Sequence, residues 1–157
     1  MKLKGQKITP PKPHMVVLPR GDKPEDSLIF MCDAVLSYDE FDRLCPMPVP
    51  PKKVFAGGKM IDDMENPKFT SALEKHFDLR YKWMVITSLR ATPDLEWETV
   101  DFQNPDSWNN YEKELSVVMT KAEINEIQLG VMNANSMNQE RMKQAREFFQ
   151  NTPEVKA

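Results

Sequence analysis

Three features of this 157-residue sequence predict an α+β fold, with a small N-terminal antiparallel β hairpin or sheet followed by a helical C-terminal bundle. Five of the thirteen prolines fall within the first twenty-four residues and four more stand at positions 46, 48, 50 and 51, whereas residues 69–92 have none. Proline lacks an amide hydrogen and fixes φ, so the first part cannot be continuously helical while the middle can. Two runs rich in Val, Ile, Leu and Phe, HMVVLPR and SLIFMCDAVLS, flank the turn signal GDKPED. Beyond Pro67, apolar residues recur at helical spacing. The expected organisation is a β-rich region with a proline-rich loop over residues 1–66, a helical region over 67–150 and a frayed tail over 151–157.

The two apolar runs read as a hairpin, to which the opening KLKGQKI would add a third, edge strand. In the second strand Leu28, Phe30 and Cys32 share one face and Ile29, Met31 and Asp33 the other, which predicts cover on both sides for part of its length. Ser37 suits an N-cap for a short helix with Phe41 and Leu44 facing inward and acidic residues in its first turn. Residues 46–66, with a proline run, Gly57-Gly58 and the acids Asp62, Asp63 and Glu65, read as a long irregular loop. Asn66 and Pro67 start the longest helix, to about residue 91, with one stripe of Leu73, Phe77, Tyr81, Met84 and Ser88 and a second of Phe69, Trp83, Ile86 and Leu89.

Pro93 ends that helix, and LEWETV then suits a short extended element. Trp83 and Trp97 are both expected to be largely buried. Asn104 and Pro105 predict a helix through Met119 with Trp108, Tyr111 and Leu115 on one face. Thr120 and Glu123 have capping-box spacing before a stripe of Ile124, Ile127, Val131 and Ala134. Asn135 and Ser136 break that helix, and a last one over about 138–150 is expected to bury Met142, Ala145 and Phe149.

Composition narrows the chemistry. Charged residues are 29% of the chain and balance to a formal −3, so no overall field draws it to nucleic acid or to an anionic membrane. The longest apolar runs fall far short of the ~20 residues of a membrane helix. The start, basic and then polar and proline-rich, does not read as a signal peptide, so synthesis inside the cell is expected. Cys32 and Cys45 then suit reduced thiols. With His14 and His76 they could form four zinc ligands, yet none of the paired short spacings of a zinc site is present, and no metal or cofactor is expected. Gly57-Gly58-Lys59 lacks the first glycine and the Ser/Thr of a phosphate loop and reads as a turn. No nucleophile motif surrounds either cysteine or histidine, so no catalytic residue set is expected. Pro48, Pro51 and Lys53 have the P-x-x-P-x-K spacing of an SH3-type ligand, although such a run also serves as a rigid connector.

FDRLCPMPVPP, KWMVITSLRATPDLEWETVDFQNPDSWNNYEKEL and TKAEINEIQLGVMNANSMNQERMKQAREFF together resemble small proteins of the structural module of tailed bacteriophages. The C-terminal part is similar to tail assembly chaperones. The resemblance spans about residues 38–150 and rests on aromatic and capping positions. It implies a non-catalytic protein that binds the tape measure protein and tail tube subunits in the host cytoplasm during morphogenesis. The strand-rich start departs from that pattern and would equally suit a structural protein that stays in the virion, joining copies or neighbours in a ring or sheet.

The residues themselves point to candidate contacts. Trp108, Tyr111, Met119, Met132, Met137 and Phe148 exceed what three short helices can turn inward, since a helix offers about three or four core positions per two turns. Aromatic and methionine side chains left outside are favoured anchors for another protein. The eleven methionines suit an adaptable surface, core filling being their commoner use.

Overall fold

The structure is a computed structural model that describes residues 1–152. Lys4 and Gly5, both at positive φ, turn β1 (Lys2–Leu3) back on β2 (Gln6–Lys7). This ribbon is exposed throughout and forms its own two-stranded sheet, so it does not extend the next hairpin as an edge strand. Its side chains are largely polar, and burial offers them no gain.

The expected hairpin is present. β3 (His14–Pro19) pairs antiparallel with β4 (Ser27–Cys32) in a register running from His14 opposite Cys32 to Pro19 opposite Ser27. Val16, Leu18, Phe30 and Cys32 enter the core. Cover on the opposite face takes in Met31 and Asp33, both half-buried; the Met31 N–H donates to the Thr92 hydroxyl (2.9 Å) and its carbonyl accepts from it (3.1 Å). Met15, Val17 and Ile29 on that face remain about half exposed.

Ser37 accepts from the Asp39 N–H (3.2 Å) and α1 (Asp39–Leu44) follows, with Phe41 fully buried against Trp83 and Trp108 at ring separations of 6.0 and 6.1 Å. Residues 46–66 are more regular than expected. β5 (Lys52–Val54) and β6 (Met60–Asp62) form a third ribbon around Gly57 and Gly58, both at positive φ. Ion pairs Lys52–Asp62 and Lys53–Asp63 tie it across, a cross-strand pairing that composition alone does not reveal.

The Asn66 side chain accepts from the N–H groups of Lys68 and Phe69 and starts α2 (Pro67–Ser88). A 3-10 turn, Leu89–Ala91, extends it. Its second stripe is the buried one: Phe69, Trp83, Ile86 and Leu89 are all inside, whereas Phe77 of the first stripe is 52% exposed. After Pro93, residues 95–100 form no strand. Their backbone is held instead by the Glu114 carboxylate, which accepts from the N–H groups of Glu98 and Thr99 (3.0 and 2.7 Å). This leaves Trp97 half-buried, edge-on to Tyr111, while Trp83 is 2% exposed.

Asn104 caps only a 3-10 turn, Pro105–Ser107, and α3 (Asn110–Val118) begins after it. The capping box of Thr120 and Glu123 forms as expected and opens α4 (Lys121–Asn135). Ile124, Ile127, Gly130 and Val131 press α4 on the hairpin, α2 and α3. At its end Asn135 accepts from the Val35 N–H (2.7 Å) and donates to the Asp33 and Val131 carbonyls (3.3 and 2.8 Å). α5 (Gln139–Asn151), capped by Asn138, corrects the expected packing. Met142 is only half-buried, Ala145 and Phe149 are exposed, and no residue of the helix is buried. Spacing makes a helix one-sided, but it does not bring another element to cover that side, and no residue of α5 joins the core cluster. Of the expected tail, Asn151 closes α5 and residues 153–157 lie outside the described part.

Candidate interaction surface

The six candidate contact residues divide sharply. Trp108 is fully buried and donates its indole N–H to the Asp101 carbonyl (3.1 Å). Tyr111 is 1% exposed and its hydroxyl accepts from Gln128 (3.0 Å). Burial pushes that phenol up to about 12 despite the hydrogen bond. Neither ring can reach a partner of the folded chain, which corrects their assignment as contacts. Each polar atom has an internal acceptor or donor that sequence spacing does not disclose. Met119 is half-buried where α3 meets α4. Met132, Met137 and Phe148 are exposed, as an interaction role requires.

Two uncovered features emerge that the candidate set only touches. The first is the apolar side of α5. Met142, Ala145 and Phe149 lie at i, i+3, i+7 on one stripe. Phe148 flanks it with its ring edge-on to Phe149, 5.2 Å away. Phe148 and Phe149 are 65% and 55% exposed. At 100° per residue Arg141 and Arg146 border the stripe on its two sides, with Glu140, Lys143 and Glu147 on the far side. Neither arginine has an ion-pair partner among the described residues.

The second is a groove of about 330 Å³ between residues 95–98 and the end of α3. Phe30, Leu95, Trp97, Leu115, Val118 and Met119 supply its apolar walls. Glu96, Glu98 and Glu114 line it as well, with no lysine or arginine among the lining residues. Burial raises the Glu114 carboxyl, but the hydrogen bonds from Thr99, Glu98 and Val100 outweigh it and hold the group below its ordinary value, so it is ionised at neutral pH. Arg20 stands nearby, donating to the Val118 carbonyl (3.0 Å), with its charge met by Glu123 at 3.1 Å. Adjacent valines at 117 and 118 in so short a helix were a legible signal for this groove, because both cannot face one core.

The groups with reactive side chains are dispersed. His76 is buried between Phe41 and Phe77, and His14 is half-buried at the start of β3. Cys32 and Cys45 are separate buried thiols, and burial, reinforced by Asp33, pushes Cys32 up to about 11. Among the described residues no group of three or more His, Cys, Asp or Glu could hold a metal. No described helix is long and apolar enough to cross a membrane. No family model, curated protein or solved structure matches the chain.

Proposed function

We propose that the chain is a non-catalytic tail assembly chaperone of a tailed bacteriophage, holding tape measure or tail tube protein during morphogenesis in the host cytoplasm. The observation that carries this reading is α5, an amphipathic helix whose apolar stripe is left exposed by the described residues of its own chain. Helices of this kind bind by laying i, i+3, i+7 anchors into an apolar surface of another protein. Methionines at 132, 137 and 142 around its base add adaptable contacts for a partner that is itself not yet assembled. The resemblance of residues 38–150 to phage structural-module proteins supplies the class of partner.

Co-expression of the chain with its phage's tape measure and tail tube proteins tests the reading. Phe148→Ala with Phe149→Ala is expected to fold normally and to weaken co-purification by about tenfold or more, the scale of losing aromatic anchors. Full retention of both partners would overturn it. One observation favours a structural virion protein instead, namely the half-exposed Met15, Val17 and Ile29 on the open face of the β3–β4 hairpin. Mass spectrometry of purified particles separates the two: stoichiometric copies in the virion support the structural role, and absence supports the chaperone.

A further inference from the structure

The stripe on α5 and the groove beside α3 are complementary in shape class and in charge. One is a convex apolar ridge with an arginine on each side that has no ion-pair partner among the described residues, and the other is a concave apolar surface whose ionisable lining is three glutamates. Among the described residues nothing pairs Glu96 or Glu98, and none of the residues lining the groove comes from α5. We infer that the groove takes α5 of a second copy of this chain.

Placement within the fold supports a contact between copies. The groove lies at the start of α4, where Arg20 bridges Val118 and Glu123. The root of α5 lies at the other end, where Asn138 and Arg141 share a small cleft with His14 and Asn133. The fifteen residues of α4 separate them by about 22 Å at 1.5 Å per residue. At 330 Å³ the groove matches the size of sites that enclose small molecules, enough to accept the paired rings of Phe148 and Phe149. Arg141 and Arg146 would then face Glu96 and Glu98 across the rim, where opposite charge sets orientation and partner choice more than affinity. Donor and acceptor are different patches, so each copy presents one of each. The contact closes as a reciprocal pair or repeats around a ring. It shares α5 with the proposed function but not the tail-protein partner, so either can fail alone.

Sedimentation velocity of the purified chain across a wide concentration range, at low salt, tests the inference. The mass is expected to rise above the monomer with concentration and to fall back as salt screens the rim. Phe148→Ala with Phe149→Ala is expected to weaken association by about tenfold to a hundredfold, with circular dichroism unchanged because α5 buries no residue. Arg141→Glu with Arg146→Glu is expected to abolish it, as is Glu96→Arg with Glu98→Arg. Mixing the two charge-reversed proteins is expected to restore a complex between them. A monomer at every concentration, association insensitive to the Phe substitutions, or failure of the mixture to associate would each overturn the inference.

Discussion

Gly130→Ala tests how α4 meets the hairpin. On an isolated helix the change stabilises by about 1 kcal/mol, because alanine loses less backbone entropy. In the fold, a Cβ at Gly130 would stand 2.2 Å from Val16 Cγ2, 3.4 Å from Cys32 Sγ and 3.5 Å from His14 Cδ2. Val16 is 7% exposed, paired with Phe30, and branched at Cβ, so its methyl cannot swing aside cheaply. Overpacking of this kind costs about 1–3 kcal/mol, and so severe an overlap belongs at the upper end. Subtracting the helical gain leaves a net loss of about 2 kcal/mol, or about 4–8 °C in Tm for a chain of this size. Urea unfolding followed by circular dichroism measures it. Val16→Ala supplies the cycle: alone it loses about 1.5–3 kcal/mol of burial, and in the Gly130→Ala background it is expected to cost at least 1 kcal/mol less, a coupling typical of touching residues. A raised Tm for Gly130→Ala, or strict additivity of the pair, would refute the contact between α4 and β3.

Asn135→Ala is expected to cost about 2–3 kcal/mol, since it removes four hydrogen bonds and leaves the Val35 N–H without its acceptor; a lowered urea midpoint at unchanged slope is the measurement. Glu114 is held below its ordinary 4.5, so its contribution is present above that pH and is lost as pH falls through the lower folded value. The wild type is therefore expected to lose stability below about pH 4.5 more steeply than Glu114→Gln, and parallel acid-unfolding curves would contradict the role of Glu114 in holding residues 98–99.

Local rules carried much of the fold. Asn66 before Pro67, the Thr120–Glu123 box and the break at Asn135 were legible because capping is a contact between residues two to four apart. The β3–β4 hairpin was legible because apolar runs flanking a turn have few other ways to pair. The ribbon over residues 52–62 was missed because its strands are three residues each and are joined by ion pairs, with no apolar alternation to announce them. For the surface, counting core positions per helix pointed to Phe148, which is exposed. Trp108 and Tyr111 were misassigned because counting apolar residues per helix ignores the Asp101 carbonyl and Gln128 that let both rings be buried with their polar atoms satisfied.

What the sequence by itself determined is the set of elements and which side of each is apolar, since periodicity, caps and proline act over a few residues. Which apolar side meets another was decided only in three dimensions. α4 buries its stripe because Gly130 lets it close on Val16, whereas α5, which also carries an apolar stripe, buries no residue against the elements described. Burial depends on what arrives from elsewhere in the chain, and that is a property of the packed whole.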